Sequence, residues 1–562
     1  MSTTQRLLAI LFVLLCPGLV FAQEQITVTD SDIPAESTVT WLSGNTYILD
    51  GIVFVDSAAT LIIEPGTVIK GMQGAGNDAS GLVVTRYAQI QAEGTAESPI
   101  IFTSALDPLD GSLTFADRGL WGGVVILGRA STNNQTQGGL KEIEGVNELT
   151  GEGDTRATYG GNEDTHSSGV FRYVSIRHTG INVGDQAGNE IQGLTLGGVG
   201  SGTVVEYVES FASADDGFEW FGGTVNTKYL VSAFNEDDSY DWDEGFRGKG
   251  QFWFAIQADD KGGRTAEQDG ATGNEFFQPY ATPKLSNVTY IGPNAGIAEG
   301  DGAEMLIFRD NTGGNYYNSI FTEYTSATGG AAITIEDIDN TGDRTEDSRT
   351  RLESGDLNLM NNLWWGFGNN SMPSVAPQDF VQDYLSDVSN GNSIVDPALR
   401  GISRVADGVL DPRPEAGGAA WGNTLDTGDD FFDTVDYKGA FGEDNWLLSW
   451  TALNELGHLN TDTGVGIETL SEEVPDAFAL AQNFPNPFNP STTIEFQVSQ
   501  AQHIELRVFD VLGHEVAVLA NEVTPAGTYS LQFDATDFAS GMYFYQLKGL
   551  NTTVTKTMLL LK

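Results

Sequence analysis

A chain of 562 residues with 40% hydrophobic content, 68 glycines and 18 prolines can bury a sizeable core, which excludes a disordered polymer and leaves room for roughly two to four domains. Its 78 acidic side chains against 27 basic ones give a formal charge of −51 and a pI near 4.1, which argues against nucleic acid and anionic membrane as partners and favours cations. Two readings of that acidity stay open: a solvated surface suited to salty surroundings, or carboxylates gathered into cation sites.

Residues 1–22 read as a signal peptide, with Arg6, an apolar run from Leu7 to Leu15, a Pro17-Gly18 break and a small residue at Ala22. The run is too short to span a bilayer permanently, so no transmembrane segment is expected after cleavage. Cys16 follows Val13, Leu14 and Leu15 and lacks the small preceding residue that lipidation needs. It is the single cysteine, so the mature chain is expected to meet an oxidising exterior without any disulfide.

From Gln25 to Ile335 short β-rich runs alternate with Gly, Asn, Asp and Ser, and helical periodicity is almost absent. Tyr207 to Trp220 aligns without a gap on Tyr229 to Trp242, an offset of 22 that pairs Asp215 with Asp237, Asp216 with Asp238, Glu219 with Asp241 and Trp220 with Trp242. A period near 22 predicts the coils of a right-handed parallel β-helix, with equivalent residues about 4.8 Å apart and Trp220 stacked over Trp242. Thr60 to Gly71, TLIIEPGTVIKG, fits two such strands joined by a Glu64-Pro65-Gly66 turn. Ala376 to Val388 carries Phe380, Val381, Tyr384 and Leu385 at amphipathic spacing, which predicts one short helix decorating or capping the solenoid. Asp396 to Leu459 is expected to supply the last coils and the cap. The β-helix is thus placed at 23–459, a linker at 460–475 and a separate domain at 476–562. In that last segment NFPNPFNPSTTI opens a series of alternating strands, which predicts a small antiparallel β-sandwich and makes the chain all-β.

TLIIEPGTVIKG, GLWGGVVILGRA (Gly119 to Ala130), EIQGLTLGGVG (Glu190 to Gly200), LDPRPEAG (Leu410 to Gly417) and VDYKGAFGEDNW (Val435 to Trp446) resemble a family of secreted right-handed β-helix proteins of Bacteroidetes and their relatives. That resemblance implies the fold and no activity. The tail is similar to the type A sorting domain of type IX secretion through PNPFNP (Pro485 to Pro490), VFDVLGHEV (Val508 to Val516), PAGTYSLQFDA (Pro525 to Ala535), SGMYFYQL (Ser540 to Leu547) and TKTMLLLK (Thr555 to Lys562). It implies recognition by the type IX translocon, and delivery through the periplasm to the cell surface or the medium.

The sharpest chemical feature is the carboxylate set Asp215, Asp216, Glu219, Asp237, Asp238 and Asp241, continued by Asp243 and Glu244. Carboxylates about 4.8 Å apart on adjacent coils repel by about 1 kcal/mol in water and about 3.5 kcal/mol at an effective dielectric of about 20. Three resolutions stay open: solvation, proton uptake, or a bridging hard cation such as Ca²⁺. Asp259, Asp260, Glu267, Asp269, Glu299 and Asp301 lie in Gly-rich loops as further candidates. Arg247 and Lys249 are candidate lyase bases, with neutralisation of Asp243 and Glu244 as the plainer role. The Gly-His-Gly and Arg-Ile-Lys elements of polygalacturonase-like hydrolases are not found, and the five histidines, His166, His178, His458, His503 and His514, form no zinc motif. Trp220, Trp242, Trp253, Trp364 and Trp365 suit core stacking before sugar stacking. The leading expectation is an exported surface-binding or structural β-helix, cation-stabilised and with polysaccharide as its candidate ligand; the alternative is a polysaccharide lyase or glycoside hydrolase on the same scaffold.

Overall fold

The computed structural model describes residues 24–562 except 135–138, 151–153, 184–189, 272, 294–303, 325–329, 339–345, 462–467, 472–474, 476, 501, 512, 514, 536–537 and 551. The signal peptide, Glu299, Asp301 and most of the expected linker therefore lie outside the described residues.

Short strands wind into a right-handed parallel β-helix with three faces. Two faces join at a corner into one 19-stranded sheet, and the third is a separate nine-stranded sheet. The predicted 22-residue step is seen in the register: Val204 to Phe211 lies on Asn226 to Ala233, and Phe218 to Phe221 lies on Tyr240 to Asp243, all in parallel. Thr60–Ile63 and Val68–Gly71 are strands on the first two faces, joined by the expected turn with Gly66 at φ +79°. Alternation decides which side chains enter the core: Phe218, Trp220, Tyr240 and Trp242 point inward and are buried, whereas Glu219, Asp241 and Asp243 point outward.

At the corner between the first two faces, Tyr173, Tyr207, Tyr229, Phe252, Asn287, Asn318 and Asn361 all have φ between 49° and 62°. Asn tolerates the left-handed conformation through its short polar side chain. The aromatic members offset its cost by stacking, with ring centroids 4.3 Å apart for Tyr173 and Tyr207, 4.2 Å for Tyr207 and Tyr229, and 5.0 Å for Tyr229 and Phe252.

The predicted amphipathic helix spans Asp379–Ser386 and buries Val381 and Leu385 against the last coils. Just before it, the Gln378 side chain accepts from Ile335 N (2.8 Å) and donates to Ile335 O (2.6 Å), so one amide imitates the next strand and closes the third face.

Residues 396–460 correct one expectation. They add no coils; they fold along the corner as an irregular strap that passes more than once over the last coils, at Asn423 and Lys438, and ends against earlier ones at Trp450. Asn318 bonds Leu425, Asn287 donates to Tyr437 O and Gln251 donates to Asp433 O. Farther along, Trp446 and Trp450 pack edge-on against Tyr173, Tyr207 and Tyr229. The buried Glu209 carboxylate accepts from Ala452 N (2.6 Å) and Leu453 N (3.3 Å). The strap covers the exposed aromatic ladder, which repetition alone would leave wet.

The tail folds as two four-stranded antiparallel sheets around Ile494, Phe496, Ile504, Leu506, Leu531, Phe533, Tyr545 and Leu547. Glu468–Ser471, assigned to the linker from sequence, pairs with residues 528–530 of that domain instead.

Candidate cation site on the third face

Outside the third face, the register builds a ladder in which Thr195, Glu219, Asp241, Glu267 and Ile307 succeed one another on adjacent strands. Beside it Gly197, Phe221 and Asp243 succeed one another, and Asp269 pairs with Arg309 on the strands beyond. The turn before each acidic strand adds Asp215 and Asp216 on one coil and Asp237 and Asp238 on the next. This turn is held tightly: Asn235 Oδ1 accepts from Ser213 N (2.7 Å), and Asp216 Oδ1 accepts from Asp238 N (2.9 Å). Gly217 leaves no room for a side chain, because a Cβ there would stand 2.8 Å from the backbone Ser239 O and 2.4 Å from Asn235 Nδ2. Gly263 lies flush against Asp237 and Asp238, where a Cβ would come within 2.4 Å of each carboxylate.

Of the six candidate ligands, five assemble. Asp215, Asp216 and Asp237 offer oxygens within 4.8 Å of one another, and so do Asp216, Glu219 and Asp241. Asp216 belongs to both triplets. Asp238 is directed elsewhere, accepting from Arg264 N. Within the second triplet Glu219 is only 6% exposed and Asp216 9%. Glu219 Oε2 and Asp241 Oδ1 are buried and receive no hydrogen bond among the described residues. Burial is the largest cause, and neighbouring carboxylates the next, of the strong rise in the pKa of Asp215, Asp216, Glu219 and Asp241.

Basic groups flank the ladder but leave its middle uncompensated. Lys141 pairs with Glu244, to which Tyr159 Oη also donates (2.6 Å). On the other side Arg264 pairs with Glu267 and Glu304, and Arg309 with Asp269 and Glu267. Among the described residues no Lys or Arg pairs with Asp216, Glu219 or Asp241. Lys141 and Tyr159 arrive on a flap that buries Ile143, Val146, Ala157 and Tyr159 on Val125, Leu127 and Phe221 of the third face. The flap also brings Glu144, whose carboxyl burial pushes up to about 7.

The remaining candidates fall outside this arrangement. Arg247 pairs with Asp164 and Lys249 with Asp429 of the strap, so neither neutralises Asp243 or Glu244, nor stands by the ladder as a base. Asp259 pairs with Arg404 and Asp260 with Arg118. His166, His178 and His458 are buried apart, in hydrogen bonds to backbone or among aromatic rings. Trp220, Trp242, Trp253 and Trp364 are core residues with no surface to offer a sugar. Although Trp220 and Trp242 are partners in register, the Trp220 ring stacks on Trp253 (5.0 Å, 3°), which corrects the expected Trp220–Trp242 stack.

Residues 33–389 match a family described as a pectate-lyase-like β-helix domain, and residues 482–561 match a secretion system C-terminal sorting domain. Among curated proteins none matches the chain. The sorting domain indicates export to the cell surface or extracellular space by type IX machinery, and no helix among the described residues is long and apolar enough to cross a membrane.

Proposed function

The chain belongs to the family of pectate-lyase-like β-helix proteins, and on that premise we propose that it is an exported, Ca²⁺-stabilised surface module that binds or scaffolds, with extracellular polysaccharide as the ligand class to screen first. Residues 1–22 are its leader, and 23–459 the β-helix with its cap and strap. The observation that carries this reading is the Asp216, Glu219 and Asp241 triplet, with two buried oxygens that have no donor, and no paired base, among the described residues. Hard cations take carboxylate oxygens, and Ca²⁺ accepts the irregular geometry that side chains from two coils would provide. Asp215 and Asp237 lie at the more accessible edge and extend the ligand set.

A lyase or hydrolase is less well supported. Paired acids alone do not make a glycosidase, because the sugar must reach between them. Glu219 and Asp216 are too deeply buried for that, and the two basic residues considered as lyase bases are engaged elsewhere.

Calorimetric titration of the purified protein with Ca²⁺ tests the proposal. Saturable binding in the wild type that is lost in Asp216→Asn with Glu219→Gln supports it; absence of heat together with an unchanged melting temperature in chelator refutes it.

A further inference from the structure

We propose that Lys438 and Asn361 join as an intramolecular amide, covalently stapling the strap to the corner of the last coils. Lys438 is 5% exposed, and its Nζ lies 2.8 Å from Asn361 Oδ1. For ordinary acceptor geometry this places the Asn361 Cγ roughly 3.6 Å from Nζ, close to a near-attack separation.

Three further features suit the reaction. First, Lys438 has no carboxylate partner among the described residues, so no ion pair holds it as an ammonium. Burial alone lowers its pKa to about 8, leaving an appreciable fraction as the neutral, nucleophilic amine. Second, the amide is fixed in place: Asn361 Nδ2 donates to Asn318 Oδ1 (2.8 Å) and Asn423 O (2.6 Å), which leaves Oδ1 and Cγ turned toward the lysine. Third, both residues are tethered by backbone, Asn361 at the corner of a coil and Lys438 through Lys438 N to Ala420 O and Gly439 N to Asn318 O. Effective concentration is therefore set by the fold.

The chemistry balances without a co-reactant. The Nζ lone pair forms the bond to Cγ, the Cγ–Nδ2 bond breaks, and the proton shed by Nζ moves to the departing nitrogen, which leaves as ammonia. A chain whose single cysteine lies at position 16 has no disulfide with which to fasten its strap, and an amide would do so irrespective of redox state.

Intact-mass and peptide mass spectrometry of the wild-type protein, held folded at pH 8, decides the matter. The expected result is a mass lower by one ammonia and a branched peptide linking positions 361 and 438. Lys438→Arg and Asn361→Ala should each restore the full mass. An unmodified wild-type mass, with both tryptic peptides recovered linear, overturns the proposal even if the variants fail to fold. A loss of ammonia that maps to another residue, such as a deamidated or cyclised asparagine, overturns it equally.

Discussion

Glu219→Gln keeps the shape of the side chain and removes one charge from the centre of the ladder. Glu219 lies within 4.8 Å of both Asp216 and Asp241. At an effective dielectric of about 20, a fully ionised pair at 4.8 Å costs about 3.5 kcal/mol, so two pairs amount to about 7 kcal/mol before any proton uptake. Proton uptake relieves much of this in the wild type, which leaves about 1–3 kcal/mol to be gained by the variant in chelator at pH 8. The new amide also offers a donor to the unpartnered Asp241 Oδ1. In Ca²⁺ the sign reverses. A bound ion at a hundred times its Kd stabilises the native state by about 2.7 kcal/mol, and the variant forfeits most of that. Thermal unfolding followed by circular dichroism should therefore show the variant melting a few degrees above wild type in chelator and below it in Ca²⁺. An equal Ca²⁺ response in both proteins, or a variant that is less stable in chelator as well, would refute the reasoning.

Three other outcomes are expected. The folded-state pKa values of Glu144 and Asp269 are raised from 4.5 and 3.8 to about 7 by burial. Because they are raised, the associated stability is fully present below about pH 4 and is lost as pH rises through about 7, at up to about 3 kcal/mol for Glu144 and about 4 kcal/mol for Asp269; in chelator the melting temperature should fall over that window, and Ca²⁺ should flatten the fall. Trp450→Ala removes a buried ring that packs edge-on against Tyr173 and Tyr207 and should cost about 3–5 kcal/mol, read as early proteolysis within 396–460 before the coils are cut. Deleting residues 482–562 should leave the β-helix in the periplasm, measured by fractionation; recovery of the truncated chain outside intact cells would contradict export through this domain.

How much of this was legible in the residues follows from how local each signal is. Tyr207 to Trp220 and Tyr229 to Trp242 repeat without insertion, so the coil, the inward Trp and Phe, and the outward Glu219 over Asp241 could be read directly. The tail was equally legible, because strands that alternate every second residue need no distant partner to be recognised. Beyond those coils the step is no longer 22. Asp241 meets Glu267, and Glu267 meets Ile307, across loops whose lengths no repeat announces. Lys141 and Tyr159 reach Glu244 from a flap about a hundred residues earlier, and Arg309 reaches Glu267 and Asp269 from the next coil, so the balance of charge around Glu219 was decided only when the chain was wound. Ring packing behaves likewise: backbone register sets Trp220 over Trp242, but side-chain rotation and the inward turn at Trp253 place its ring on a different coil. The strap shows the same division. Its aromatic and acidic residues stand plainly in the sequence, while their placement along the left-handed corner column depends on tertiary contacts between residues as far apart as Tyr173 and Trp450.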